Sequence, residues 1–404
     1  MEFSSKSIKK WKLFEGDKVV WMVLFFLAII SIVEVYSASS NMTYKSGAYW
    51  RPILQHASYL LAGVAFTVGI HKIPCKFFKI VPLALPLVVF LLVLVMFMPK
   101  VNNASRWLWG FQPSELAKFV LVVTTAFILS STRDDQASKK SAFKLLLVIT
   151  GVICGLIAPE NFSTAGMTAI VVGMMMLVGK MPKKEMNLLM GSIVIVGAMG
   201  YGFLRFAPVS TIETVSEVPG LHRVETWANR LREGGGKPEN PVDYDITDNP
   251  QVTHAQIAIA TCNVIGKGPG NSVERDFLPQ SFSDFIYAIV IEELGLFGAF
   301  FVMFLYIVLL FRAARIASRC KRNFPAYLVM GLSLLLVTQA MINMAVAVGV
   351  FPVTGQPLPL ISKGGTSTWI NCVYLGMILS VSRSATKKDD VPVAEALEQK
   401  EQTH

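Results

Sequence analysis

Apolar residues run along this chain in long, almost unbroken blocks, and the breaks between blocks are short and hold most of the charge. Neither the alternation of a half-buried strand nor the single stripe of a surface helix fits that pattern. A block of about 20 apolar residues is the length at which an α-helix crosses a bilayer, because each backbone N–H and C=O must be paired inside the segment. Ten stretches qualify, at 19–38, 52–71, 76–98, 115–132, 143–159, 164–181, 186–206, 285–312, 324–350 and 367–383. The pattern predicts an all-α polytopic membrane protein of ten transmembrane helices, with a large external loop between the seventh and eighth. Residues 1–383 form one membrane domain in this reading. Residues 384–404, a polar stretch, form a disordered cytoplasmic tail. The first block is too long for a signal peptide, lacks a small-residue cleavage pattern and is followed by further spans.

Composition agrees: 53% hydrophobic and only 16% charged residues exclude an ordinary soluble domain. The net charge of +10 raises nucleic acid as a partner class. Its Lys and Arg, however, fall in short clusters between apolar blocks, which suits an anionic cytoplasmic leaflet, so no nucleic-acid partner is expected. With the N-terminus inside, the inner breaks and termini hold 24 of the 37 Lys and Arg residues. That bias, with an even number of spans, puts both termini in the cytoplasm. The five cysteines (75, 154, 262, 320 and 372) have no CxxC spacing and read as small buried hydrophobes.

The break at 207–284 is 78 residues long, with 11 Asp and Glu against 6 Lys and Arg. Loops of that length are usually functional, and a net charge of −5 on the outer face attracts divalent cations. Pro219 and the glycines 234–236 predict one helix over about 219–232. Leu221, Val224, Ala228 and Leu231 form its apolar stripe, and Arg223, Trp227 and Arg230 a second face.

HExxH and GxSxG are both absent, and GKGPGNS (266–272) lacks the Lys-Ser/Thr pair of a P-loop; it reads as a glycine turn re-entering the membrane surface. The five histidines are scattered. Carboxylates at or near bilayer depth, namely Glu34, Glu115, Glu160, Asp284, Glu292 and Glu293, each cost about 2.5–3.5 kcal/mol there and need a partner or a purpose. Glu115 pairs with Lys118 three residues on. Glu160 either caps the sixth span or binds an external cation. Asp284 opens the eighth span behind Ser283, a natural N-cap. A carboxylate in that first turn is either a plain cap or a base that takes a proton from a hydroxyl attacking an electrophilic carbon.

The runs YSAS (36–39), SRWLWGFQPSELAKF (105–119), QVTHAQIAIATCNVIGKGPGNS (251–272), FLPQSFSDFIYAIVIEELGLFG (277–298) and FPVTGQPLPLISKGGTS (351–367) together resemble the SEDS family of shape, elongation, division and sporulation proteins. GKGPGNS looks more like the family's division branch than its elongation branch. The resemblance implies an inverting peptidoglycan glycosyltransferase that polymerises lipid II into a growing glycan strand outside the bacterial cytoplasmic membrane. It also implies work at the division septum with a class B penicillin-binding transpeptidase and other division proteins.

The family's catalytic aspartate, in a motif like LPE-x-H-T-D-F, carries over onto Asp284. Gln280, Phe282 and Ser283 replace the usual Glu, His and Thr, Cys262-Asn263 replaces a Gly-Gly pair, and Lys363 replaces a tyrosine-like residue. In that mechanism Arg223 and Arg230, with Arg106, Trp107, Ser362 and Lys363, bind the substrate and its departing pyrophosphate. The two loop arginines equally suit lipid headgroups, and Lys363 equally suits snorkelling. A divalent cation, Mg or Mn, would share the charge through Asp276 and Glu160. Two other classes use the same features: a lipid II flippase, which needs the cavity but no base, and a noncatalytic division scaffold.

Overall fold

The computed structural model describes residues 14–38, 51–98, 108, 111–216, 224–233, 250–278 and 283–386. The membrane helices are α1 (Lys18–Ala38), α2 (Arg51–Ile70), α3 (Leu85–Met96), α4 (Pro113–Ser131), α5 (Gln136–Ile157), α6 (Phe162–Val178) and α7 (Lys183–Phe206). The long segment after α7 contributes α8 (Val209–Ser216), α9 (Val224–Glu233) and α10 (Pro250–Ala260), and the bundle closes with α11 (Ile286–Ser318), α12 (Asn323–Ala347) and α13 (Gly365–Thr386). Eight described helices are long and apolar enough to cross a bilayer, counting the third span as Cys75–Met96. α6 is shorter but apolar, and α13 is long with Thr366, Ser367, Thr368 and Asn371 in its first turns. These ten elements fall on the ten predicted blocks, and the protein is an all-α integral membrane protein.

The third span is not one continuous α-helix as predicted. Cys75–Ala84 is 3₁₀, with Pro82 inside it, and α3 follows with Pro86 in its first turn. Two prolines four residues apart remove two amide donors, and the chain adopts the tighter turn where they fall. α5 starts about two turns before its apolar block, because Asp135 caps it by accepting Ser138 N–H at 2.9 Å.

The core lies between α4, α11, α12 and α13, with α2 along α13 and α1 against α11. One end of the bundle is fastened by ion pairs. Asp17 binds Arg312 at the end of α11, and Arg383 of α13 reaches Glu15 at 3.6 Å and the Lys72 carbonyl at 2.9 Å. Both described ends of the chain therefore share one face, and the start of α11 lies on the other.

The segment between α7 and α11 holds more helix than the single one predicted. α8 is two turns of mostly β-branched residues, a poor helix former in isolation, and α10 exposes too little apolar pattern to be recognised. α9 begins at Val224, and residues 217–223 lie outside the described set. Val224 and Ala228 are buried against Ile212 of α8, as their stripe predicts. Trp227, assigned to the arginine face, instead lies half-buried with its ring 5.0 Å from that of Phe162. A large aromatic gains more from that contact than from water.

Candidate functional site

Asp284 stands at the end of the bundle opposite the Asp17–Arg312 pair, two residues before α11, half-buried. Its main chain is fastened from two directions. Asn343 of α12 donates through Nδ2 to the Asp284 carbonyl at 2.9 Å and to the Gln356 carbonyl at 2.7 Å. Ser362 donates to the Ser283 carbonyl at 2.6 Å while accepting Leu358 N–H at 2.7 Å. Ser283 does not cap the helix as predicted: the N-cap position is Phe285, without a side-chain cap, and the Ser283 hydroxyl donates to Asp284 Oδ1 at 2.8 Å. A cap needs extended backbone just before the helix, and residues 283–285 are already turned.

Behind this site a polar chain runs through apolar surroundings. Gln339, one turn before Asn343 on α12, donates to the Pro357 carbonyl at 3.0 Å and accepts from Lys118 at 3.0 Å. Lys118 also makes the predicted pair with Glu115, at 2.7 Å, and both side chains are almost fully enclosed. Ser31 of α1 holds the Ile361 carbonyl at 2.8 Å and lies 2.8 Å from His56 Nε2 on α2. The segment 352–364 is thus anchored to α1 and α12, and to α11 through Tyr306, whose hydroxyl donates to the Pro359 carbonyl, so that these buried carbonyls are paired.

The GKGPGNS turn is built onto α11 itself. That helix breaks at Gly295 (φ 70°, ψ −173°), which frees amide groups. Leu296 N–H is taken by the Asn263 carbonyl at 3.3 Å and Phe297 N–H by Val264 at 3.2 Å, while Lys267 and Gly268 N–H bond the carbonyls of Glu292 and Glu293. Both carboxylates, fully buried, point into the turn. Glu292 receives Lys267 Nζ at 2.6 Å, Val273 N–H at 3.1 Å and the Ser272 hydroxyl. Glu293 receives Gly270 N–H at 3.0 Å, Ser272 N–H at 3.2 Å and the Ser37 hydroxyl, with Arg275 at 3.9 Å. Charge-assisted bonds of this number offset the cost of burying two anions.

Of the sequence-predicted site residues, the fold ties Ser362 to the residue before Asp284, and Lys363 is next to Ser362 in the chain. Ser362 is 3% exposed and its hydroxyl is committed to the two ties above. Lys363 follows it, half-buried, and partial desolvation lowers its ammonium pKa. Arg106, Trp107 and Arg223 lie outside the described residues, as does the Arg230 side chain, although its backbone belongs to α9.

Asp276 sits in a 3₁₀ turn with its carboxylate 3.7 Å from Arg275. Glu160 does not cap α6: Asn161 does, accepting Thr164 N–H at 3.1 Å. Only the residue one beyond Glu160 has its side chain within reach of that amide. Among the described residues no three His, Cys, Asp or Glu side chains gather where a metal ion would fit. His254 is engaged with Glu274 at 2.7 Å and stacked on Phe277.

Sequence reading missed Asn343, Gln356 and Gln339, which hold the site. Their signal was present, since Gln339 and Asn343 are polar residues four apart in an apolar block and therefore share a face.

The family model described as cell cycle protein, covering FtsW, RodA and SpoVE, matches residues 17–387. A relative from Halomonas elongata, named probable peptidoglycan glycosyltransferase FtsW, is 32% identical over 91% of this chain and 92% of its own length. A Geobacter relative of the same name is 28% identical over 91% and 96%. Among solved structures, a chain of a peptidoglycan synthase complex that coordinates polymerization and crosslinking superposes with a TM-score of 0.70 at 21% identity, over 92% of this chain and 98% of that one. Thermus thermophilus RodA gives 0.61 at 20% identity, over 92% and 97%. With the family matched across nearly the whole chain and the fold shared, the chain belongs to the FtsW, RodA and SpoVE family of cell cycle proteins.

Proposed function

We propose that this protein is a peptidoglycan glycosyltransferase that polymerises lipid II into glycan strands for septal wall synthesis, with Asp284 as general base. The supporting observation is a half-buried carboxylate whose own carbonyl is held by Asn343 and whose preceding residue, Ser283, is held by Ser362, just before α11. A base held this way keeps its position while substrate arrives. Asp284 takes the proton of the acceptor's 4-hydroxyl as its oxygen attacks the donor's anomeric carbon. The new C–O bond forms on the face opposite the lipid pyrophosphate, and the old bond breaks with its electron pair leaving on pyrophosphate. The α-linked donor thus gives a β-linked product. Lys363, Arg223, Arg230, Arg106 and Trp107 are assigned to substrate and leaving group; Ser362 is assigned to positioning. A divalent cation held by Asp276 and Glu160 stays an expectation of the sequence; among the described residues no three His, Cys, Asp or Glu side chains gather around either, and no step is routed through a cation.

The protein is assigned to the bacterial cytoplasmic membrane at the septum. Its proposed partners are a class B penicillin-binding transpeptidase, to which the strand passes for crosslinking, and other division proteins. Purified protein given lipid II, with and without the cognate transpeptidase, is expected to form glycan chains resolved on a gel. Lipid II transfer across vesicles without polymer would replace this reading with a flippase, and neither activity would leave a scaffold.

Orientation carries the assignment, since the site must face outward. Cysteines introduced at Asn240 and Ala137, in a background lacking the five native ones, are expected to react with an external impermeant maleimide at 240 and not at 137. The reverse pattern overturns the assignment. Arg223→Ala and Arg230→Ala are each expected to cut polymerisation by roughly tenfold or more, as loss of a charge-assisted phosphate bond would, at unchanged expression. Wild-type rates in both would make these arginines headgroup anchors.

A further inference from the structure

On the face opposite Asp284 the bundle carries an open cleft of about 860 Å³ between the start of α5 and the turn from α6 into α7. Lys139, Lys140, Lys180, Lys183 and Lys184 stand around it, and Leu177, Met181 and Met186 line it on the membrane side. Two of the lysines are engaged, Lys139 by Asp134 and Lys140 by Glu185 at 3.4 Å. Lys180, Lys183 and Lys184 make no ion pair with any described residue. Their ammonium groups remain on a cleft that nothing in the polymerase mechanism uses.

Two further observations fix the kind of occupant. α7 starts at Lys183 with no cap from its N-cap residue, Pro182, so the positive end of its helix dipole faces the same rim, where Glu185 of the first turn, paired with Lys140, is the one lining carboxylate. Leu177 and Val178, at the end of α6, are 58% and 44% exposed on a surface that meets acyl chains. A ligand that places a phosphate among three ammonium groups and an alkyl chain along Leu177 satisfies both walls. Lysine suits a single phosphate as a point charge, whereas a soluble anion would leave the apolar wall unused.

We propose that this cleft is a binding site for an anionic glycerophospholipid, the phosphodiester held by Lys180, Lys183 and Lys184 and one acyl chain lying along the end of α6. It is independent of the polymerase reading. The test is native mass spectrometry of the full-length protein in detergent, titrated with dioleoylphosphatidylglycerol and, separately, with dioleoylphosphatidylcholine.

Wild type is expected to retain the anionic lipid at least roughly tenfold more tightly, as two or three nearby basic residues would provide. Lys180→Gln/Lys183→Gln/Lys184→Gln should lose that preference, and the matching triple Arg variant, which keeps the charge, should retain it. If the Gln triple does not elute as a single species, Lys183→Gln/Lys184→Gln is read in its place. Equal retention of the two lipids by wild type overturns the site. So does an undiminished preference in the Gln variant, or an equal loss in Arg315→Gln/Arg319→Gln/Lys321→Gln, which removes charge elsewhere on the same face. Displacement of the lipid by inorganic phosphate at equal concentration would make it a plain anion site and overturn the lipid assignment.

Discussion

Asp284→Asn is expected to reduce glycan-chain formation from purified lipid II by roughly 10²–10⁴, the usual contribution of a positioned base. Asparagine has nearly the same volume, and its Oδ1 still accepts the Ser283 hydroxyl. The ties from Asn343 and Ser362 go to main-chain carbonyls, which the substitution leaves in place. What disappears is the ability to hold a proton. A merely structural carboxylate would forfeit one hydrogen bond's strength, about 1 kcal/mol or roughly fivefold, so magnitude separates the roles. The assay is chain length and yield on a gel, beside a thermal midpoint that should not move. Abundant polymer from the folded variant would remove Asp284 from catalysis.

Gly295→Ala is expected to destabilise the fold by on the order of 5 kcal/mol, combining a backbone region closed to side chains with a collision the core cannot relieve. A Cβ at Gly295 would lie 2.4 Å from both the Gly266 amide nitrogen and the Val264 carbonyl oxygen. Both are main-chain atoms, and Gly266 itself has φ 79° and meets α11 just as closely. The two glycines let the break in α11 and the GKGPGNS turn touch backbone to backbone. The variant should fail to accumulate in the membrane, or melt far below wild type by fluorescence-detected size exclusion. A stable Gly295→Ala protein would mean that this contact does not exist. Ala at Gly270, where a Cβ meets open space but φ is 87°, should cost only the backbone strain, about 1–3 kcal/mol.

The ten spans were legible because a lipid-exposed backbone leaves the chain one solution, and blocks of apolar residues report it directly. The Glu115–Lys118 pair was legible for the same local reason, since three residues along a helix is a contact. Glu292 and Glu293 were visible as costly charges, but their partners were not. Three of those partners are main-chain amides of a turn some twenty residues earlier, which have no sequence signature, and the side-chain partners, Lys267, Ser272, Arg275 and Ser37, meet the carboxylates only once that turn and α1 are folded onto α11. Ser283 fits a capping residue by type, yet φ and ψ at 283–285 decide the matter, and these are set by the ties from α12 and the 352–364 segment. Trp227 was assigned by angular position alone, which is blind to a ring on a neighbouring helix. Asp284 itself was readable only as one of two possibilities from its place, and its catalytic assignment came with the family motif.

α7 has its own relation to the rest of the molecule. From Gly191 to Phe206 none of its described residues is buried, and α9 is the neighbour against which its end packs. A helix without an enclosed face has no shape to match, only a hydropathy to maintain. Within this chain's own fold the stretch up to Gly202 has only a composition to keep: Leu, Ile, Val, Met and Phe are interchangeable there, and a library randomised among them should keep the thermal midpoint, whereas Leu204, packed against the cluster of Ile212, Val224 and Ala228, should not vary so freely. In α12, where Asn343 and Gln339 each have an assigned partner, the same library would collapse to a few sequences.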